Sequence, residues 1–170
     1  ARANSPTERT MPVSKHSHSG TMPLAYITFR KRWIFSTGYF QGMILKRNLL
    51  VDRLIPVGVK YPLAPEVLEH YRGPFPTVDS RAGPAEMVRQ LTLSANWLAQ
   101  LEDRVRRGLA HVPLLLTWGV EDLAFTPAFM DTFRRDFPKA RAVRLDAKHF
   151  IQEDTPGEVS QAIREFLTEE

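Results

Sequence analysis

A continuous apolar run of strand length, Pro113–Trp118, lies in the last third of the chain. Such a run is typical of a parallel β-strand that is covered on both faces. A shorter strand is predicted at Arg141–Leu145. Between the two, Thr126-Pro127 predicts the start of a helix, because threonine can cap a helix and proline fits its first position. The β-α-β order predicts a right-handed crossover and a parallel sheet with helices on its faces.

Apolar residues at helical spacing predict helices within this β-α-β unit and on both sides of it. The helix between the strands has four apolar residues close to one face: Phe129, Met130, Phe133 and Phe137. The capping-box spacing of Thr155 and Glu158 predicts a last helix with an inward face made of Val159, Ile163, Phe166 and Leu167. After Gly83-Pro84 we expect one long amphipathic helix with an inward stripe made of Val88, Leu91, Ala95, Leu98, Leu101, Val105 and Leu109.

The first 84 residues have no strand pattern and divide into two regions. Residues 1–24 are rich in Ser, Thr, Pro and His and have no structural period, so we expect a disordered lead-in. Residues 25–84 carry short helical patterns broken by Gly and Pro, with helices predicted at Thr37–Leu54 and Pro65–Tyr71. We interpret residues 25–84 as a small helical region and residues 85–170 as part of an α/β core.

Composition narrows the class of protein. The chain has 170 residues, 43% of them hydrophobic, and no apolar run approaches the roughly 20 residues that span a bilayer. We therefore expect a soluble, cytoplasmic domain without a membrane partner. The chain contains no cysteine, which excludes disulfides, a thiol nucleophile and cysteine-containing zinc sites. The five histidines lie far apart or in a polar tail, which gives metal binding little support.

Positive charge is concentrated at the front, where residues 1–53 hold nine Lys/Arg against two acidic residues. A nucleic-acid patch is one interpretation of Arg30, Lys31, Arg32, Lys46 and Arg47. These residues alternate with apolar residues at helical spacing, and no nucleic-acid motif accompanies them. We favour a solvated helix face and expect no nucleic-acid partner.

Polar clusters follow both predicted strands. Asp122 comes after the first strand and His149 after the second, 27 positions later. Because the carboxyl ends of parallel strands form the crevice where ligands bind, these two side chains are expected to meet. A carboxylate on one imidazole nitrogen frees the other nitrogen to act as a general base. The alternative is a turn-capping aspartate and a structural histidine.

Two patterns carry a resemblance to a known family: Trp118-Gly119-x-x-Asp122 and His149-Phe150-x-Gln152-Glu153-Asp154. The region from residue 112 to the end resembles the α/β-hydrolase superfamily, and most of all its haloalkane dehalogenase branch. Residues 47–81 resemble the helical cap of the same branch. Together the resemblances cover about residues 40–84 and 112–170. They imply a partial α/β-hydrolase fold, with a short parallel sheet, flanking helices and a helical cap.

The resemblance implies a hydrolase that acts on a small molecule through a nucleophile, histidine and acid, with Asp122 as the acid and His149 as the base. No cofactor is implied. The chain departs from the family at Lys148, where many relatives have glycine. The strand-to-helix turn that carries the nucleophile is also missing. His16–Gly20 resembles that turn superficially, but no strand precedes it and its first glycine is absent.

Two phenylalanines and three tryptophans are candidates for the substrate pocket or for the core. Phe125 and Phe150, beside the acid and the base, are candidates for the wall of a substrate pocket. Trp118 is interpreted as a packed strand residue. Trp33 and Trp97 offer an indole N–H that can bind a halide, yet neither lies in a family motif, so we predict that both belong to the core.

A second hypothesis makes the chain an inactive fragment or pseudoenzyme that acts as an interaction module. The missing nucleophile supports it, and a truncated or frame-shifted gene is one explanation, because the chain begins with Ala1. We expect the isolated chain to be inactive. We also expect it to self-associate through an exposed sheet edge, because unpaired strand groups pair readily with other chains.

Overall fold

The computed structural model describes residues 37–168. The predicted disordered lead-in at 1–24, the segment His16–Gly20, the basic residues 30–32 and Trp33 lie outside the described residues. Within the described range most of the chain is helical, and two short strands form a parallel sheet. None of the helices between residues 37 and 168 combines the length and the hydrophobicity needed to cross a bilayer.

Helix α1 spans Gly38–Arg47 and begins at Thr37, whose hydroxyl accepts a hydrogen bond from the Phe40 amide at 3.2 Å. The helix ends at buried Asn48, whose φ of 47° is left-handed. Asparagine tolerates this conformation better than most residues do. The chain then forms a π-helical turn at Leu50–Leu54 and helix α2 at Ile55–Gly58. The single helix predicted over 37–54 is therefore wrong, because Asn48 interrupts it.

Three more helices precede the sheet. Helix α3 spans Pro65–Arg72, with Pro65 in its first turn as predicted. After a 3₁₀ turn at Asp79–Arg81, helix α4 spans Ala82–Leu93 and helix α5 spans Ala95–Gly108. The single long helix predicted here is two helices, which meet at Ser94. Helix α4 includes residues on both sides of position 84. The predicted division of the chain into regions 25–84 and 85–170 stays a prediction.

The predicted inward stripe of α4 and α5 is only partly buried. Val88 lies in a core cluster with Ile44 and Ala85, where α4 packs against α1. Leu91, Leu101 and Leu109 are exposed by 47%, 36% and 47%. Their predicted burial is wrong. Helical spacing places apolar residues on one face, but burial also needs a second surface against that face.

The sheet follows the predicted order. Strand β1, Leu115–Gly119, pairs in parallel with strand β2, Arg141–Leu145, and the register runs from Leu115 opposite Arg141 to Gly119 opposite Leu145. Helix α6, Pro127–Asp136, connects the two strands and packs on β1. The β-α-β prediction is confirmed. Thr126 precedes α6 as expected, although its side chain makes no capping hydrogen bond.

The chain ends with the short helix α7, Ile151–Asp154, and helix α8, Pro156–Thr168, which packs on both strands. Burial in this half centres on Leu116, Met130, Phe137, Leu145 and Ala162. The inward face predicted for α8 is partly wrong, since Ile163 is 45% and Leu167 is 64% exposed. The small residue Ala162 is the one that α8 buries, at 4% exposure.

Candidate active site

The loops that follow β1 and β2 leave the same edge of the sheet, because Gly119 and Leu145 are partners in the register. The backbone joins the loops directly, since Val120 donates to the Leu145 carbonyl at 2.9 Å and Glu121 donates to the Ala147 carbonyl at 3.0 Å. A β-carbon at Gly119 would lie only 2.1 Å from the Lys148 carbonyl oxygen. Glycine is therefore required for this close approach.

Asp122 lies in the first loop and is 7% exposed. Its Oδ1 accepts hydrogen bonds from the amides of Ala124 at 2.7 Å and Phe125 at 2.9 Å. Its Oδ2 lies 2.9 Å from Nδ1 of His149, so the predicted contact between the two side chains is present. The amides fix the carboxylate plane and offset the cost of burying its charge.

The contact also defines the state of the histidine. A carboxylate only accepts hydrogen bonds, so Nδ1 of His149 carries the proton and donates it. In the neutral ring, Nε2 then keeps its lone pair and can accept a proton from another molecule. The His149 side chain is 35% exposed, while that of Asp122 is 8% exposed. The arrangement is thus a buried acid behind an accessible base.

Two aromatic rings hold the imidazole. Phe125 stacks on it at a centroid distance of 5.4 Å and an interplanar angle of 18°. Phe150 meets it edge-on at 5.0 Å and 83°. The structure therefore brings together all four residues that the sequence singles out, Asp122, His149, Phe125 and Phe150. Their catalytic and substrate-binding roles stay predictions.

The predictions for two tryptophans have different outcomes: Trp118 lies in β1 and packs against Phe133, with ring centroids 6.1 Å apart, as predicted, whereas Trp97 does not lie in the core. The indole N–H of Trp118 donates to the Phe125 carbonyl at 2.7 Å, so this strand residue also holds the acid loop, which is the loop after β1 that carries Asp122. Trp97 is 59% exposed, and its predicted place in the core is wrong because α5 presents this face to solvent. Nothing in the sequence distinguishes a hydrogen-bonded tryptophan from a packed one.

Sequence reasoning also missed Gly58, Lys60 and the position of Asp154. Phe150 donates its amide to the Gly58 carbonyl at 3.0 Å. Asp154 accepts hydrogen bonds from the Lys60 amide at 2.7 Å and from the Lys148 amide at 2.9 Å. These contacts join segments up to 94 positions apart. Only the family pattern around Asp154 offered a signal for them.

Two cavities lie outside the Asp122–His149 pair. A cavity of about 320 Å³ touches the site through Lys148, and its lining also includes Pro56, Val59, Lys60, Pro62, Leu63 and Leu68. An open cleft of about 500 Å³ lies among the front helices and is lined by residues between Lys46 and Arg81. Neither is lined by Asp122 or His149. The described residues contain no group of three or more side chains arranged to bind a metal ion.

Known proteins are similar to this chain in sequence and in fold. Haloalkane dehalogenase 2 of Mycobacterium tuberculosis strain H37Rv is 40% identical over 134 residues, which are 78% of this chain and 47% of that protein. The crystal structure of an ancestral haloalkane dehalogenase matches 86% of this chain and 52% of its own, with a TM-score of 0.72 and 31% identity. The chain belongs to the haloalkane dehalogenase-like branch of the α/β-hydrolase superfamily.

Two further similar proteins show how wide the likeness is. Haloalkane dehalogenase DbeA from Bradyrhizobium elkani matches with a TM-score of 0.70 and 27% identity, over 85% of this chain and 50% of its own. A cis-3-alkyl-4-alkyloxetan-2-one decarboxylase of Shewanella oneidensis is 32% identical over 66% of this chain and 37% of its own length. No protein-family model matches. This dehalogenase-like chain spans about half the length of the curated relatives it matches.

Proposed function

We propose that Asp122 and His149 are the acid and the base of a hydrolase triad of the haloalkane dehalogenase type. The observation that supports this role most strongly is the 2.9 Å contact between Asp122 Oδ2 and His149 Nδ1, with Asp122 Oδ1 held by two amides. This geometry presets the tautomer in which Nε2 is basic. The nucleophile is not assigned to any residue of this chain.

The proposed reaction has two steps. A carboxylate nucleophile attacks the substrate carbon, expels the leaving group and forms an ester with the substrate. His149 Nε2 then takes a proton from water, and the resulting hydroxide attacks the ester carbonyl to release an alcohol and regenerate the carboxylate. Asp122 stabilises the imidazolium that forms in this step. The imidazolium finally loses its proton to solvent, which restores the base. With a serine nucleophile, His149 would instead deprotonate the hydroxyl, and the enzyme would be an esterase.

The surroundings support a small, largely apolar substrate. Phe125 and Phe150 flank the base and are proposed as pocket walls. The helical region up to residue 84 is proposed as a cap, a role supported by the contacts of Gly58 and Lys60 with the site loops. The small-molecule substrate and the cytoplasmic location stay predictions. One relative is named as a decarboxylase, so haloalkanes and simple esters are the first substrates to test rather than an assigned specificity.

A chimera tests the proposed pair. The segment of the ancestral haloalkane dehalogenase that matches this chain is replaced by residues 37–168, so that the relative supplies the remaining half of the fold. We expect the chimera to release halide from a haloalkane. Asp122→Asn should lower the rate by about 10²–10⁴-fold, because the wrong tautomer is then favoured.

The matched control is His111→Ala, which removes an exposed histidine away from the sheet edge and should leave the rate unchanged. Circular dichroism of each variant shows whether it folds. A folded chimera without halide release, or one in which Asp122→Asn is as active as its parent, contradicts the proposal.

An interaction module remains the second candidate. It is favoured by large apolar side chains that are exposed on α4, on α8, and on or directly after α5: Leu91, Leu93, Trp97, Leu109, Ile163 and Leu167. The expected partner is a second copy of the chain, which would bury this surface or extend the sheet edge. Sedimentation of the purified chain over a concentration series should show self-association. A monomer at every concentration, with cooperative unfolding, contradicts it.

A further inference from the structure

The segment Gly58–Lys60, at the end of α2, lies directly on the loop that carries the candidate base. Phe150 donates its amide to the Gly58 carbonyl at 3.0 Å. A β-carbon at Gly58 would lie 2.5 Å from the Phe150 ring and 3.5 Å from the β-carbon of His149. Backbone and ring therefore meet without room for a side chain, and the two segments cannot shift independently.

The ammonium group of Lys60 joins the two site loops. Its Nζ lies 2.7 Å from Glu121 Oε1 and 2.5 Å from Asp146 Oδ1. Glu121 directly precedes the candidate acid, and Asp146 lies three positions before the candidate base. The two carboxylates repel each other, and a shared cation converts that repulsion into attraction between the loops. The hydrogen bonds with Asp146 and then Glu121 raise the pKa of Lys60, so it stays charged at neutral pH.

A second connection passes through Asp154. One carboxylate oxygen accepts the Lys60 amide at 2.7 Å, and the other accepts the amide of Lys148, the neighbour of His149, at 2.9 Å. The loop after β2 that carries His149 is called the base loop. Lys60 is thus attached to the base loop through its backbone, and to both the acid loop and the base loop through its side chain. Hydrogen bonds to a charged carboxylate are shorter and stronger than neutral ones.

The ion pairs of Lys60 are expected to affect the geometry of the site more than the stability of the fold. Exposed ion pairs contribute little to folding, because water and salt screen the attraction between the two charges. Glu121 and Asp146 are 45% and 70% exposed, so these pairs belong to that class. Catalytic pairs, in contrast, respond to displacements of about 1 Å. The expected effect of Lys60 is therefore on the placement of the loops, with only a small effect on unfolding.

We propose that Lys60 is a positioning residue for the Asp122–His149 pair, acting through Glu121, Asp146 and Asp154 to hold the acid loop against the base loop. The inference rests on the proposed function and deepens it. It makes the position of the helical region and the geometry of the pair interdependent, although Lys60 is 61 positions from Glu121 and 86 from Asp146.

Nuclear magnetic resonance of the full chain, labelled with ¹⁵N in histidine, tests this role at about pH 8, where an ordinary imidazole is neutral. His149→Ala assigns the ring signals. We expect the parent chain to show the Nδ1-protonated ring with a low-field proton. Lys60→Met should raise the solvent-exchange rate of that proton at least about threefold, or remove its signal, as the loops separate. Lys60→Arg should restore it, because arginine keeps both ion pairs.

Lys139→Met is the matched control, since Lys139 is an exposed lysine in the turn before β2, and it should change nothing. Asp154→Asn, which weakens the backbone connection, should change the signal as Lys60→Met does. A folded Lys60→Met chain with an unchanged His149 signal overturns the inference. If Lys60→Met unfolds the chain, the two other variants decide. A His149 signal that is lost in folded Lys60→Arg, or unchanged in folded Asp154→Asn, overturns the inference.

The same spectra separate this inference from the proposed function. Asp122→Asn removes the charged acceptor and should abolish the Nδ1-protonated preference in the parent chain. If it has no effect, the acid–base pair does not exist in solution and the proposed function fails. If it has the expected effect while Lys60→Met has none, the pair stands and only the role of Lys60 is wrong.

Discussion

The two loops at the sheet edge carry polar clusters and the helices α4 and α5 carry apolar periodicity, yet these two regions differ in how closely the structure follows the sequence pattern. At the sheet edge, Asp122 uses both carboxylate oxygens, and the loop after β1 donates backbone hydrogen bonds to the carbonyls of Leu145 and Ala147. On α5, the apolar residues Trp97 and Leu101 are exposed. Strand register and short turns specify the first arrangement locally, whereas the second depends on what lies against the helix.

The largest expected difference in unfolding free energy is between replacing a buried leucine at the sheet and replacing an exposed leucine on α5. Leu145 ends β2 and is 2% exposed, while Leu101 on α5 is 36% exposed. Leu145→Ala should lower the free energy of unfolding by about 2–5 kcal/mol, because it leaves a cavity beside the sheet. Leu101→Ala, the same chemical change, should cost below about 1 kcal/mol.

Denaturant titration of the purified chain measures both values. Equal losses at the two positions would show that the stripe of α5 is buried in solution, by self-association or by another part of the chain. The comparison between the two regions would then fail.

Glycines give the next contrast. Gly119→Ala should destabilise the chain by about 1–3 kcal/mol, because its β-carbon would meet the Lys148 carbonyl at 2.1 Å and backbone must move. Gly42→Ala lies in the interior of α1 with no atom within 4 Å of the new carbon, so it should stabilise by about 0.5–1 kcal/mol. Thermal unfolding of both variants checks the opposite signs, and a neutral Gly119→Ala would mean that the loops are less closely packed than described.

The site shows what sequence can and cannot predict. Asp122 and His149 were placed together because consecutive parallel strands end at one edge, which follows from local patterns and chain order alone. Lys60 and Asp154 were missed because their contacts depend on how the front helices dock, over 94 positions of chain. The breaks at Asn48 and Ser94 were missed for a related reason, since apolar periodicity continues across both residues.

The smallest expected effect concerns an ion pair on the solvent face of α4. Arg89 and then Gln90 lower the pKa of Glu86 to about 2. Because the folded pKa lies below the ordinary value of 4.5, this contribution to stability is present above pH 4.5 and is lost as the pH falls through about 2. Carboxyl ¹³C titration should show the pKa rising toward 4.5 in Arg89→Ala, and less in Gln90→Ala. An unchanged titration would show that the pair does not persist in solution.

The central claim, that His149 is the base that activates water, is tested most directly by the mass of the protein in the His149→Ala chimera after exposure to a haloalkane. If His149 serves the second step, the first step still proceeds, so the ester should accumulate as one alkyl adduct per protein with one equivalent of halide released. The parent chimera, in contrast, should turn over without an adduct. Sustained turnover of His149→Ala at the parent rate, with no adduct, would contradict the account.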